Sequence, residues 1–256
     1  MNKYEFTNET KVQFGVTFRR IRALIEIAGV VSAGEVGGWV EAEKCLSQTG
    51  NAWVYGNALV YGNALVSGNA QVYDDALVYG NALISGNALV SGNAQVYDDA
   101  LVYGNALISG NALVSGNAQV YGDALVYGNA WVYGNARVSG DALVYGNARV
   151  YGDALVYGNA WVYGNARVYG DALVYGNAHI LSQESICTFS GFGSEYRTTT
   201  AFTDSKLGIR IVCGCFTGTL KQFRTKVIET YGENSKNGKL YLGMANMIEY
   251  RLEEEK

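Results

Sequence analysis

Residues 50–61 read Gly50-Asn-Ala-Trp-Val-Tyr55 and then Gly56-Asn-Ala-Leu-Val-Tyr61, one six-residue unit written twice. The unit runs on without insertion to Gly176-Asn-Ala-His-Ile-Leu181, giving 22 hexads over 132 residues. A short fixed period of this kind predicts a parallel β-solenoid. Side chains alternate sides along a strand, so within Ala-X-Val-Tyr the Ala and Val share one side and X and Tyr the other. Position X holds Arg137, Arg149 and Arg167, and also Gln71, Gln95 and Gln119. An unpaired guanidinium is costly inside a protein. X and Tyr therefore face outward, and Ala and Val fill the interior. Gly with Asn or Asp makes the corners, where positive φ and side-chain-to-backbone hydrogen bonds are favoured. Small inner residues require a narrow prism. Three hexads per coil closes it, giving about seven coils and a rod of roughly 35 Å at the ~4.8 Å strand spacing.

A stacking period of 18 sorts the outward X positions into three walls. One carries Trp53, Gln71, Leu89, Leu107, Leu125, Leu143, Trp161 and His179. A second carries Leu59, Leu77, Gln95, Leu113, Trp131, Arg149 and Arg167. The third carries Leu65, Leu83, Leu101, Gln119, Arg137, Leu155 and Leu173. Beside each runs a second outward column in which Tyr fills 15 of the 22 positions, Tyr103, Tyr121 and Tyr157 among them, and Ser fills six. These columns are apolar for a solvated surface. Each wall presents a strip of roughly 350–400 Å², near the upper end for a patch without a partner. The candidate binding residues are thus Trp53, Trp131 and Trp161, with Leu65, Leu83 and Leu101, Tyr103, Tyr121 and Tyr157, and Arg137, Arg149 and Arg167. The competing explanation is that stacked Tyr and Leu stabilise the solenoid itself. Residues 74–97 and 98–121 repeat one another as 24-residue blocks. Because 24 is not a multiple of 18, the copies fall on different walls, which argues against a finely tuned lattice-matching face.

Composition narrows the function classes. The chain has 256 residues, 33 Gly, 20 Tyr, no Pro, one His and a net charge of -4. No basic stripe marks a nucleic-acid interface. Eight Asp against three Arg in the solenoid are too few acids for a nucleic-acid mimic. The array contains no Thr, which disfavours ice binding. Its glycines belong to corners and precede no helix, so there is no phosphate loop and no cofactor is expected. Cys45, Cys187, Cys213 and Cys215 lack zinc-type spacing and read as reduced thiols of a cytoplasmic protein. The amino terminus has no apolar core of a signal peptide, and no apolar run reaches the ~18 residues of a membrane span.

Both ends differ from the array. Residues 1–49 are expected to form an amino-terminal β cap, since raw solenoid edges invite aggregation. Within them, alternating Tyr4, Phe6, Val12, Phe14, Val16 and Phe18 predict a hairpin over residues 3–28, with turn signals near Asn8 and Gly15. Residues 182–256 are expected to form a small α+β module. Its clearest strands are Thr198–Phe202 and Ile209–Phe216. A helix begins at the capping box Thr219/Gln222, with Phe223, Val227 and Ile228 as its apolar face. A second helix, about Lys236 to Glu253, turns Leu240, Met244, Met247 and Ile248 inward.

The hexad resembles the hexapeptide repeat of left-handed β-helices, and that resemblance, not the spacing, implies left-handed coiling against the usual crossover rule. The fold class is thus a mainly β, single-stranded left-handed parallel β-helix with an amino-terminal β cap and a carboxyl-terminal α+β module. Many such proteins are trimeric acyltransferases with a His general base near a subunit interface, often beside a loop extruded from a coil. Here the sole histidine, His179, is a weak catalytic candidate, and no loop is extruded. Val31-Ser-Ala-Gly-Glu-Val-Gly-Gly-Trp39, with Leu46-Ser-Gln, is similar to the entry segment of hexapeptide-repeat proteins common in bacteriophages, prophages and some enteric bacteria. Cys213-Gly-Cys-Phe-Thr-Gly-Thr-Leu220 and the following helix resemble the terminal module of the phage members. These are labelled transferases on account of the solenoid, and the resemblance transfers no catalytic residue. Relatives often carry Arg, Lys or Gln where this chain has outward Leu. The favoured expectation is a non-enzymatic binding scaffold encoded by a phage or prophage. It would act in the host cytoplasm on a protein partner, either itself as a dimer or trimer or a host defence factor. The alternatives are a trimeric acyltransferase and a tail-associated virion part.

Overall fold

The computed structural model describes residues 2–192 and 196–253. The hexads form 22 strands of two residues each, from Trp53–Val54 to His179–Ile180. Each strand pairs in parallel with the strand 18 residues on, as Leu101 does with Gln119 and Val102 with Val120. Leu101 N donates to Ala118 O at 2.9 Å and Tyr103 N to Val120 O at 3.0 Å, and this pattern recurs along the array. The strands sort into the three predicted walls, one per sheet. Ala and Val of every hexad are buried, from Ala52 and Val54 to Ala178, with Ile at three of the Val positions. The core is therefore a continuous column of small and β-branched side chains, which pack well on a pleated surface.

The corners need glycine for two reasons. Gly104 has φ +73°, and a Cβ there would lie 2.8 Å from Gly122 N in the next coil. Where Asp replaces this glycine, at Asp74 and Asp98, φ is still 58° and 59°. Their carboxylates accept from the N–H of Gly92 and Gly116 one coil on, which offsets the strain. The adjacent corner residues form amide ladders. Asn69 Nδ2 donates to Asn87 Oδ1, and Asn87 Nδ2 to Asn105 Oδ1, each at 2.9 Å.

At the amino terminus β1 (Tyr4–Gln13) and β2 (Val16–Ala23) form the predicted hairpin. Its tip is Phe14-Gly15, with φ 54° and 74°, the positive values a two-residue hairpin turn requires. The turn expected near Asn8 is instead an irregularity within β1, between Phe6 and Thr10. A short polar run can be absorbed as a bulge without ending a strand. β3 (Val36–Val40) runs antiparallel to β2 on one side and parallel to Leu59–Val60 on the other. Leu46 bridges Val66 on the next wall. The ladder thus starts ahead of Gly50 and makes about eight turns where seven were predicted from the hexads alone. Gly37 permits this junction, because a Cβ there would meet Val54 O at 2.6 Å.

The carboxyl-terminal module is a four-stranded antiparallel sheet covered by two helices. Its strands are Ile186–Phe192, Arg197–Asp204, Gly208–Cys213 and Phe216–Thr219. The single strand expected over residues 209–216 is folded back at Gly214-Cys215, so Cys213 pairs with Phe216. The helices are α1 (Leu220–Tyr231), which carries the predicted Thr219/Gln222 capping box, and α2 (Lys236–Glu253). Strand alternation divides the sheet's side chains between two cores. Ile186, Phe202 and Val212 close the open end of the solenoid. Cys187, Ala201 and Ile211 face Phe223, Val227, Met244, Ala245 and Ile248 of the helices. Three expected inward residues, Ile228, Leu240 and Met247, are exposed. In α2 Met244 and Ile248 are buried as expected, and Tyr241, Ala245 and Leu252 complete the stripe in place of Leu240 and Met247, since a tyrosine supplies as much apolar area as a leucine.

Candidate functional site

The outward residues separate by wall. Trp131, Arg149 and Arg167 stack on successive coils of one sheet. Leu65, Leu83, Leu101 and Arg137 lie on another, with Gln119 between Leu101 and Arg137. Tyr103, Tyr121 and Tyr157 flank this column. Trp161 and His179 stand together on the third sheet. The predicted residues are thus three groups, and no wall collects them all.

Trp53 must be removed from the set. It is fully buried, because the hairpin lies across it, with the Tyr4 ring edge-on at 6.3 Å. Its Nε1 is buried and has no hydrogen-bond partner, a structural cost that marks it as part of the cap contact. Leu59, whose strand is the ladder neighbour of β3, is buried as well.

The tyrosine columns stack ring on ring. Tyr127, Tyr145 and Tyr163 are separated by 5.0 and 5.1 Å with nearly parallel planes. Tyr133, Tyr151 and Tyr169 follow at 4.9 and 5.4 Å. Tyr103 with Tyr121, and Tyr157 with Tyr175, form pairs on the remaining wall. Ring faces inside a ladder are occupied by neighbouring rings, leaving edges and hydroxyls for contact. Sugar stacking on those faces is therefore poorly served. Burial and neighbouring phenols raise the pKa values of Tyr103, Tyr145 and Tyr157, and Tyr79, between Tyr61 and Tyr97, is pushed up to about 12.

The Trp131 wall carries the most open groups. Trp131 and Tyr169 are each 40% exposed. The Arg149 guanidinium sits 4.6 Å over the Trp131 ring. Tyr133 is raised by burial and by Tyr151, against the opposing pull of Arg149 and Arg167. Two parallel columns result, Trp131–Arg149–Arg167 and Tyr133–Tyr151–Tyr169, on a wall fixed by backbone hydrogen bonds. The earlier half of the array is different. Leu77 and Leu101, equivalent in the two 24-residue blocks, lie in different sheets.

These repeats are similar to the YdcK beta solenoid repeat. Matching segments are residues 52–68, 70–84, 94–109, 106–120, 118–134, 130–146, 136–151, 148–164 and 166–181. No curated protein matches the chain. The YdcK-type segments lie within the hexad array and include the whole Trp131–Tyr169 strip except Asn165. Among the described residues no helix is long and apolar enough to cross a membrane, and no group of three or more His, Cys, Asp or Glu is placed to hold a metal.

His179 is stacked on Trp161 at 4.9 Å, within 10° of parallel. Among the described residues no carboxylate is hydrogen-bonded to its ring. A general base is normally held in its tautomer by such a partner. The terminal module seals the adjacent end. Thr203 Oγ1 donates to His179 O at 2.6 Å, and Leu173 N donates to Thr200 Oγ1 at 3.0 Å.

Proposed function

We propose that the protein is a non-enzymatic protein-binding scaffold whose contact surface is the strip from Trp131 to Tyr169. The observation that carries the proposal is the grouping of Trp131, Arg149, Arg167 and Tyr169 on one wall. Trp, Tyr and Arg are the residue types that dominate binding hot spots. The wall is already ordered, so binding does not incur the entropy of fixing a loop. Arg149 lying over Trp131, with Arg167 one coil on, favours a partner that presents carboxylates beside apolar side chains. The resemblance to phage and prophage proteins favours a host-cell factor, such as a defence protein, met in the cytoplasm. A second copy of the chain, giving a dimer or trimer, is the other protein partner the strip suits.

The test combines light scattering on the full chain with capture from host lysate by wild type and by a Trp131→Ser/Tyr169→Ser variant. Self-association, or a captured protein, that disappears in the variant supports the reading. A strict monomer with no captured partner, or capture indifferent to the two substitutions, overturns it. The acyltransferase alternative draws no support from His179, whose ring faces Trp161 and has no orienting carboxylate among the described residues.

A further inference from the structure

Serine interrupts the tyrosine columns, and two of the interruptions are a single rung wide. They fall at Ser115, between Tyr97 and Tyr133, and at Ser139, between Tyr121 and Tyr157. Ser115 is buried, and the Asp98 carboxylate beside it accepts from Gly116 N at 3.2 Å. Ser139 is only half-buried. The rung before it, Tyr121, has one face on Tyr103 at 4.9 Å, and the rung after it, Tyr157, has one face on Tyr175 at 5.0 Å. Their other faces look toward each other across Ser139. Tyr157 is 37% exposed despite its stacked partner, so its second face is open.

The width of this slot selects the shape of a guest. One coil advances about 4.8 Å, so two coils set the Tyr121 and Tyr157 rungs about 9.6 Å apart. Aromatic rings stack with centroids about 4.5–7 Å apart. One flat ring therefore fits midway, in stacking contact with both faces. The rungs are fixed before a guest arrives, since Tyr121 N donates to Val138 O and Tyr157 N to Val174 O, each at 3.0 Å. Tyr175 in turn lies against the Arg210 guanidinium at 4.5 Å, and Asp204 balances that charge at 3.4 Å.

The ring faces and the adjoining corner select its charge. The face of a phenol ring is negative and attracts cations. The corner beside the slot carries Asp123 and Asp141 on successive coils, after Tyr121-Gly122 and Ser139-Gly140. Asp123 accepts from Asn105 Nδ2 at 2.7 Å. A carboxylate has no N–H to pass on, so the amide ladder breaks here between two like charges, whose repulsion a neighbouring cation offsets. Arg137, on the strand side of the slot, sets one positive charge against these two negative ones.

We infer that the Ser139 slot binds a flat aromatic cation, its ring between Tyr121 and Tyr157 and its charged group toward Asp123 and Asp141. The site lies on a different wall from the Trp131 strip and does not depend on the scaffold role.

The experiment titrates the full chain with benzamidine, benzamide and benzoate at low salt and follows the ligand ring protons by NMR. A ring held between two phenols is shifted upfield by both. Benzamidine, a cation at neutral pH, should show a saturable upfield shift with one site per chain. It should bind at least about fivefold tighter than benzamide, with benzoate weaker still. Ser139→Tyr restores the residue found at 15 of the 22 equivalent positions. That variant should fold, melt above wild type and lose the upfield shift. Asp141→Asn, which installs the residue most corners carry, should weaken benzamidine binding and leave that of benzamide unchanged. No saturable shift up to about 20 mM, a shift retained in Ser139→Tyr, benzamide or benzoate binding as tightly as benzamidine, or benzamidine affinity unchanged by Asp141→Asn would each overturn the inference.

Discussion

The guanidinium of Arg149 lies 4.6 Å over the indole of Trp131, its neighbour one coil earlier. An exposed cation–π contact of this kind contributes about 0.5–1 kcal/mol. Trp131→Ala should therefore lower stability only slightly, while a hot-spot tryptophan costs about 2 kcal/mol or more in binding. We expect a melting temperature within a few degrees of wild type and partner affinity reduced by more than about tenfold. Arg149→Lys keeps the charge but loses the planar stack, and should give an intermediate loss. Equal losses of stability and binding would assign the pair to the solenoid and not to its surface.

Tyr145 sits between Tyr127 and Tyr163, whereas Tyr121 stacks only on Tyr103. Serine occupies the equivalent position at Ser91, Ser109 and Ser139, so the backbone accepts it. An aromatic pair contributes about 0.5–1.5 kcal/mol beyond its buried area. Tyr145→Ser should cost roughly twice as much as Tyr121→Ser in chemical denaturation, about 1–3 against 0.5–1.5 kcal/mol. A ratio near one would mean that the rings are parallel only because the coils impose it.

The interior was legible in the sequence because the hexad states it. Arginines at X fix the outward side, and a period of 18 then assigns every residue to its wall. The pattern carries no information about what covers a wall. Trp53 occupies the same hexad position as Trp131, yet Tyr4 and the hairpin bury it. The difference lies in a contact 49 residues away in sequence, Tyr4 to Trp53, that no local periodicity encodes. The stripe of α2 has a similar origin. Met244 and Ile248 face the sheet as expected, but the stripe is completed by Tyr241, Ala245 and Leu252 where Leu240 and Met247 were expected. The sheet face beneath makes that choice. The aromatic cluster of Phe192, Phe216, Phe223, Tyr231 and Tyr241 in the module was equally illegible, since its rings come from two strands and two helices.

Lys3 is buried, and its ammonium donates to Ala52 O at 2.7 Å. Desolvation lowers its pKa to about 8. The unfolded chain, with Lys near 10.4, then binds more protons than the folded one between those values. The Lys3 contribution to stability should rise as pH increases from about 8 towards 10. Measurement is best confined to pH 8 to about 9.5, below tyrosine ionisation. Burial raises the Cys45 and Cys187 thiols, which contribute the opposite slope in this window, so Lys3→Met should make the slope in urea melts less positive than in wild type. A slope unchanged in the variant would place its source elsewhere.

Asp204 has a fully buried carboxylate that accepts from the N–H groups of Lys206 and Leu207 and from Arg210 Nη1 at 3.4 Å. Burial opposes its ionisation, but the two N–H groups and the guanidinium outweigh burial and hold it below the usual carboxylate value. A depressed folded pKa gives stability that is complete at neutral pH. That stability is lost as pH falls below the ordinary Asp range, near about 4. Asp204→Asn should flatten this acid limb. Asp204→Ala leaves Arg210 and two N–H groups without their acceptor and should cost about 3 kcal/mol. Because Ala178 bridges Asp204 and Ser205 N donates to Asn177 O, the loss should loosen the cap on the last coil. Faster hydrogen exchange at residues 173–180 would register it.

Deletion of residues 98–121 removes one of the two 24-residue blocks. The join returns Tyr97 to Gly122, so every Ala and Val still faces inward. Both caps keep their partners, because the hairpin contacts the first coils and the module contacts the last. Solenoid stability is a sum of coils and their interfaces, so the shortened rod should fold, melt cooperatively and show the same strand signal per residue. The Trp131 strip lies wholly beyond the cut and should bind its partner with unchanged affinity. Deleting only residues 104–106 makes the opposite case. A shift of three reverses inward and outward positions at the junction, forcing tyrosine and asparagine or aspartate toward a column built for Ala and Val and placing Leu or Arg at the glycine corners. That variant should be insoluble or unfolded, and a folded, cooperative product would contradict the packing described for the hexad.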